Sequence, residues 1–178
     1  MKSTNVLVLG GNGFLGKNIQ KTFESSPYQM SYESRRTGFD LFDLNLTIEK
    51  IRAIAPDIIV FAAANVGNIQ YVSENAADVV SDNSQMYINL YKAISVVDPR
   101  IIVINLLSNC SYPGTIDVQH EELWWDGEVH PSIESYGFPK KLGYIISKCY
   151  EKQHGIVTLN LIVPNAYGPH DYVDASRT

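Results

Sequence analysis

The chain has 178 residues, of which 45% are hydrophobic and 19% charged, and its formal net charge at neutral pH is -5. That length suits one packed domain and is short for a dinucleotide-binding domain joined to a full substrate domain. The apolar content excludes a disordered chain, and the negative charge withholds the general attraction on which binding to nucleic acids or acidic membranes relies. Two cysteines, Cys110 and Cys149, make neither a disulfide framework nor a metal cluster. No run of about 20 apolar residues offers a membrane span, and Lys17 and Asn18 interrupt any signal-like apolar core. A cytoplasmic, reducing setting is expected, with no membrane, nucleic-acid or metal partner.

The string VLVLGGNGFLGKNI reads as a strand over Asn5–Leu9, a tight turn with Gly10, Gly13 and Gly16, and a helix over residues 14–24 whose Leu15, Ile19 and Phe23 share one face. A helix that begins this way presents unpaired amide hydrogens and the positive end of its dipole, a seat for a dinucleotide pyrophosphate. The first glycine permits the turn, the second lets a phosphate approach the backbone, and the third lets helix and sheet pack closely. Gly10, Gly13, Phe14, Leu15 and Gly16 are therefore candidate cofactor residues. Further along, residues 29–32 predict a weak strand and residues 47–54 a helix that stops before Pro56. Residues 57–63 predict a strand buried on both faces, 73–97 a long helix, 100–107 a strand, 133–154 a helix, and 157–163 a strand ended by Pro164. This alternation predicts an α/β fold: a Rossmann-like, doubly wound parallel sheet with helices on both faces. Residues 1–166 are expected to form the dinucleotide-binding domain. Residues 167–178, aperiodic and holding Gly168, Pro169 and His170, read as a loop leading toward a substrate-binding domain that these residues do not include.

Arg35 and Arg36 follow the second strand, where the adenosine ribose lies in a dinucleotide fold. Arginines there complement a 2'-phosphate and favour NADP, while the neighbouring Glu33 keeps NAD open. Asp43 and Leu44 are placed either to reach the adenine or to form an acidic turn and helix cap. Ala62, Ala63 and Ala64 end the central strand in small residues, which lets a cofactor lie against the sheet edge or lets a helix pack tightly. Tyr136 and Lys140 are four residues apart, on one helix face. An ammonium beside a phenol eases phenolate formation, and the unperturbed phenol pKa of about 10 is otherwise too high for proton exchange near neutrality. The lysine can also hold a nicotinamide ribose. Pro139 inside the spacing points to a special helix start. Ser108 can orient a carbonyl or bond to Tyr136, or simply end its strand. Cys110 is a proton donor or base if its pKa is tuned, or a small buried hydrophobe. Asn109 and Asn165 are candidate substrate-positioning amides, and His170 a candidate phosphate or sugar contact.

The ordered set GGNGFLG, AANVGNI, LLSNCSYP, YGFPKKLG and VPNAYGPHD resembles the extended short-chain dehydrogenase/reductase superfamily, in its NAD-dependent epimerase/dehydratase group. More closely, it is similar to the GDP-L-fucose synthase family of epimerase-reductases, over nearly the whole chain. The resemblance implies an NADPH-dependent epimerase and reductase acting on a nucleotide-activated 4-keto-6-deoxy sugar in GDP-L-fucose biosynthesis. Ser108, Tyr136 and Lys140 would form the reductase trio, with Tyr136 supplying a proton as hydride reaches C4, and Cys110 would act in epimerisation at C3 and C5. Gly67, Pro164 and Asn165 would lie near the cofactor or sugar nucleotide. A homodimer is implied, its seam drawing on apolar positions around 86–94 and 144–149 that equally suit core packing. The family carries a carboxy-terminal substrate domain with the histidine that partners the cysteine, and His170 is not matched to it. Trp124 and Trp125 sit in an insert that packs a loop or makes a sugar or subunit contact. The other readings are a different nucleotide-sugar 4-epimerase or 4-reductase, and a non-catalytic dinucleotide-binding module.

Overall fold

The computed structural model describes residues 3–171. Strand β1 (Asn5–Leu9) is the middle of the amino-terminal half of the sheet. Its Leu7, Val8 and Leu9 are at most 1% exposed, and burial of each stabilises the fold by roughly 1.5–3 kcal/mol. There follow α1 (Phe14–Thr22), β2 (Gln29–Glu33), α2 (Leu44–Ile54), β3 (Ile58–Phe61), α3 (Ile69–Glu74), α4 (Ala76–Val97), β4 (Ile102–Ser108), α5 (Glu134–His154) and β5 (Thr158–Val163). The five strands are parallel in the order β2-β1-β3-β4-β5. The chain leaves β1 toward β2 and then returns past β1 to β3. Right-handed crossovers running in opposite directions place α1 on one face and α2, α4 and α5 on the other. There α2 packs on α4, and α4 on α5. The expected doubly wound α/β fold is present.

The main core lies on the α2–α4–α5 side, where Ile51, Leu90 and Ile94 meet Ile59, Phe61 and Val103. Residues 86–94 of α4 are mostly core: Met86, Tyr87, Asn89, Leu90, Tyr91, Ala93 and Ile94 are all buried. The opposite face is covered by α1 at its amino-terminal half. Beside β4 and β5 it stays open, with Ile102, Leu159 and Leu161 exposed.

Most strand and helix ends fall within two residues of those the periodicity predicts, and the larger differences concern the helices. Helix α2 starts three residues early because the Asp43 carboxylate accepts from the Leu46 amide and caps it. The helix expected over 73–97 is two helices. Asn68 caps α3 by accepting from the Tyr71 amide, and Asn75 ends it, its backbone and side-chain N–H groups both donating to the Tyr71 carbonyl. Pro139 lies inside α5 rather than at its start. Among the described residues, no helix is long and apolar enough to cross a membrane. Of the expected loop at 167–178, residues 172–178 lie outside the described residues.

Candidate functional site

The strand order reverses between β1 and β3, and in an open parallel sheet the crevice at the carboxyl ends of such a pair receives ligands. Gly10 turns the chain there with φ +89, and a Cβ on it would lie 2.7 Å from the Ala62 carbonyl carbon and the Ala63 nitrogen. A Cβ on Gly16 would collide with the Gly10 carbonyl. The start of α1 is thus pressed against the loop, and the amides of its first turn, at Phe14, Leu15 and Gly16, precede any helical carbonyl that could pair with them. Gly13 is the residue just before this helix.

A cleft of about 260 Å³ opens at this point. Gly10, Gly13, Ala62, Ala63 and Ala64 form its floor, and Glu33, Arg35 and Arg36 stand at its β2 side. The Thr37 hydroxyl donates to a Glu33 carboxylate oxygen at 2.5 Å. The Arg35 guanidinium lies 5.4 Å from the centre of the Phe42 ring, and Arg35 and Arg36 are exposed. Asp40 and Leu41 line the cleft, whereas Asp43 serves as the α2 cap and Leu44 packs against the core. The small floor, the helix start and the two arginines fit a phosphorylated dinucleotide.

Farther along the same carboxyl edge, β4 ends at Ser108. A short 3-10 turn, Asn109–Ser111, follows, in which the Cys110 amide donates to the Ser108 hydroxyl at 3.2 Å. The Ser111 hydroxyl donates to the Ser108 carbonyl, and Trp124 Nε1 donates to the Ser111 hydroxyl at 2.7 Å. Helix α5 presses on this turn: a Cβ at Gly137 would meet the Cys110 carbonyl at 2.5 Å. Tyr136 and Lys140 flank that glycine, and Lys140 Nζ sits 5.4 Å from the Tyr136 ring centre. The ammonium donates to the Leu106 carbonyl at 3.0 Å and reaches the Tyr87 hydroxyl at 3.4 Å.

Burial pushes Tyr136 well above the usual phenol range, Cys110 adds to that, and a hydrogen-bonding interaction with the Ser108 side chain opposes it. Burial lowers Lys140 to about 8, against a smaller upward pull from Cys110. Ser108, Cys110, Tyr136 and Lys140, four residues named from the sequence, are thus brought together, but the expected easing of phenolate formation by the ammonium is outweighed by burial, which raises Tyr136. The sequence reading missed Tyr87, whose signal was weak, a tyrosine within an apolar helix face.

The remaining candidates are more dispersed. Asn109 Oδ1 is buried without a hydrogen-bond partner among the described residues. Gly67 packs beneath the Tyr71 ring, where a Cβ would fall 2.7 Å from a ring carbon. Pro164 and Asn165 are exposed just past β5. His170 lines a separate open groove with Lys17, Lys21 and Tyr32. The Asn18 side chain holds that segment by donating to the Pro169 carbonyl at 2.8 Å. Trp124 is buried and Trp125 half exposed; they form an aromatic cluster with Tyr144, with the Lys141 ammonium 5.1 Å from the Trp125 ring centre. Among the described residues no cluster of side chains could hold a metal ion.

Residues 6–177 match the NAD dependent epimerase/dehydratase family. GDP-L-fucose synthase of Dictyostelium discoideum is 28% identical over 173 residues, covering 93% of this chain and 52% of its own length. Among solved structures, a GDP-L-fucose synthetase from Naegleria fowleri bound to NADP superposes with a TM-score of 0.82 at 23% identity, covering 96% of this chain and 56% of that one. A GDP-mannoheptose C4 reductase from Campylobacter jejuni with NADP bound gives 0.86 at 18% identity, covering 97% and 55%. The chain spans about half the length of the relatives it matches. With a glycine turn at the sheet's switch point, a tyrosine and lysine over the end of β4, and a family match across nearly all of its residues, the chain belongs to the NAD dependent epimerase/dehydratase family.

Proposed function

We propose that this chain carries the cofactor site and the proton-transfer groups of an NADP(H)-dependent oxidoreductase or epimerase of nucleotide sugars, working at a ring carbon that alternates between alcohol and ketone. The observation that carries the reading is the meeting of Tyr136 and Lys140 with Ser108 at the end of β4, on the same sheet edge as the glycine turn. The relatives' printed names, GDP-sugar enzymes and UDP-glucose 4-epimerases, support nucleotide sugars as the substrate class.

A bound nicotinamide supplies or accepts the hydride. The Tyr136 phenol gives its proton to the alkoxide oxygen that forms as a carbonyl is reduced, or takes a hydroxyl proton in the reverse direction. Ser108 orients that oxygen. The Lys140 ammonium stabilises the phenolate left behind, and with a pKa of about 8 it is largely charged at neutrality. Glu33 is engaged by Thr37, while Arg35 and Arg36 face the cleft, which supports a 2'-phosphate and hence NADP over NAD. Asn109, Asn165 and Gly67 are read as the substrate side, whereas His170, a candidate sugar or phosphate contact from the sequence, lines a separate groove and stands apart from it.

The narrower reading, a GDP-L-fucose synthase-like epimerase-reductase of a 4-keto-6-deoxy sugar, rests on Cys110. A ketone acidifies the carbons on either side of it, and a thiol among these groups can return a proton to such a carbon, with the enolate oxygen held where the carbonyl was. Phe138, Leu142 and Ile145 form an exposed stripe on α5, read as the seam of a homodimer. Two free cysteines accord with a cytoplasmic, reducing setting.

The test is incubation of the protein with NADPH, and separately NADH, and a GDP-linked 4-keto-6-deoxy sugar in deuterated water. NADPH consumption with deuterium entering C3 and C5 supports the epimerase-reductase. Consumption without label supports a reductase alone. NADPH binding with no consumption and no sugar-nucleotide affinity overturns the catalytic reading in favour of a binding module.

A further inference from the structure

Behind Lys140 runs a line of buried polar side chains that the redox chemistry leaves unused. Lys140 Nζ reaches the Tyr87 hydroxyl at 3.4 Å. That hydroxyl donates to Asn105 Oδ1 at 3.1 Å, Asn105 Nδ2 donates to Asn160 Oδ1 at 2.8 Å, and Asn160 Nδ2 donates to the Ser147 hydroxyl at 3.0 Å. The Ser147 hydroxyl ends the line by donating to the Tyr144 carbonyl at 2.7 Å. Tyr87 is 1% exposed, and Asn105 and Ser147 are wholly buried. Asn105 and Asn160 are register partners at the centres of β4 and β5, where apolar side chains would carry no desolvation cost.

The line has a direction, set at both ends. An ammonium only donates, so the Tyr87 oxygen accepts at Lys140 and its proton turns to Asn105. That orients the Asn105 amide and then the Asn160 amide. At the far end a carbonyl, which only accepts, takes the last proton. Every link donates away from Lys140, so every dipole presents its negative end to the ammonium, and linked dipoles of this kind strengthen one another in a low dielectric.

The ammonium's nearer acceptor is the Leu106 carbonyl on β4, at 3.0 Å, a backbone group that a side-chain change at Tyr87 leaves in place. The other groups that face this position are Tyr136 on α5, Cys110 on the turn after β4, and Tyr91 on α4, which acts on Tyr87. Burial keeps the Tyr87 hydroxyl protonated far above neutrality, so it serves as a fixed dipole rather than a second acid. Among the described residues no carboxylate acts on the titration of Lys140.

We propose that Tyr87, backed by Asn105, Asn160 and Ser147, is a positioning residue that, beside the Leu106 carbonyl, holds Lys140 charged and aimed at Tyr136. The inference rests on the redox reading of Tyr136 and Lys140 for its purpose. A neutral dipole line supports the charge without trapping it in an ion pair, which leaves the ammonium available to the phenolate.

The test uses Tyr87→Phe in the intact protein. The substitution keeps the ring that meets Phe61 edge-on at 4.9 Å and removes only the hydroxyl. Lysine side chains are labelled at the ε-carbon and titrated by NMR, with Lys140→Met assigning the signal, and the pH profile of NADPH-dependent turnover is recorded beside it. In Tyr87→Phe the Lys140 pKa is expected to fall by about one unit, a tenfold change in its protonation equilibrium. The alkaline limb of kcat should fall with it, while KM for NADPH changes less than about twofold, as expected when the removed interaction is not one that binds cofactor. Asn160→Leu, which cuts the line two links farther on, is expected to shift Lys140 the same way by less, and it decides the matter if Tyr87→Phe does not fold. An unmoved Lys140 titration overturns the inference even where the parent protein turns over. A shifted titration in a protein with no turnover on nucleotide sugars supports the positioning role and counts against the redox reading instead.

Discussion

Lys140 carries its charge in a buried position. Burial lowers its pKa from 10.5 to about 8. Between those values the unfolded chain keeps a proton that the folded chain has released, so stability rises with pH across that window. Below it both states are protonated and the folded state bears the whole penalty. Lys140→Met is therefore expected to raise the unfolding free energy at pH 7 by up to roughly 3 kcal/mol while abolishing activity, a trade common at catalytic sites. Urea unfolding at a series of pH values checks this. The advantage should shrink above about pH 8 and be gone near pH 10.5, and a variant less stable than its parent at pH 7 would refute the penalty. Tyr136, Lys140, Ser108 and Cys110 were legible in the sequence because local spacing and a strand end bring them together. Tyr87, Asn105 and Asn160 were not, since three different elements supply them. A faint signal existed all the same: one asparagine stands in the middle of each of two apolar strand runs, RIIVINLL and VTLNLIV. Of the two readings open for Asp43, an adenine contact or a helix cap, the cap is what the structure shows, while Asp40 and Leu41 line the cleft.

At the scale of elements, the turn after β4 owes its shape to a distant insert. Trp124 donates to Ser111, and Ser111 in turn holds the Ser108 carbonyl. Trp124→Phe keeps most of the buried ring and removes the donor, leaving a buried hydroxyl short of a partner. The expected loss is about 1–2 kcal/mol of stability, together with a lower kcat, since Ser108 and Cys110 lie on that turn. Thermal unfolding and steady-state turnover measure the two effects, and unchanged values for both would show that the turn holds itself. The strands β1, β3, β4 and β5 could be read to within about two residues because each is a short, largely apolar run, whereas β2, Gln29–Glu33, is polar enough to read only weakly. The break between α3 and α4 could not be read. Hydrophobic periodicity reports which face is buried, whereas the break depends on Asn68 and Asn75 bonding to backbone groups.

For the whole molecule, the alternation of strands and helices, together with the right-handed rule for crossovers, was enough to foresee a doubly wound sheet. It did not foresee how unevenly the two faces are covered. Leu159 is 53% and Leu161 40% exposed on the face that α1 does not reach. An open apolar face of this kind should bind a hydrophobic dye. Leu159→Lys combined with Leu161→Lys is expected to reduce dye binding while changing the unfolding free energy by less than about 0.5 kcal/mol per site. A loss of several kcal/mol would mean that both leucines are packed in solution. The central claim, that the Tyr136 phenol is the proton donor of an NADP(H)-dependent reaction on a nucleotide sugar, is tested most directly by comparing the parent protein with Tyr136→Phe. NADPH oxidation would be followed with a GDP-linked 4-keto sugar, and NADPH affinity measured alongside. The account predicts that turnover falls by about a hundredfold or more with cofactor affinity unchanged, and a variant that turns over as fast as its parent would contradict it.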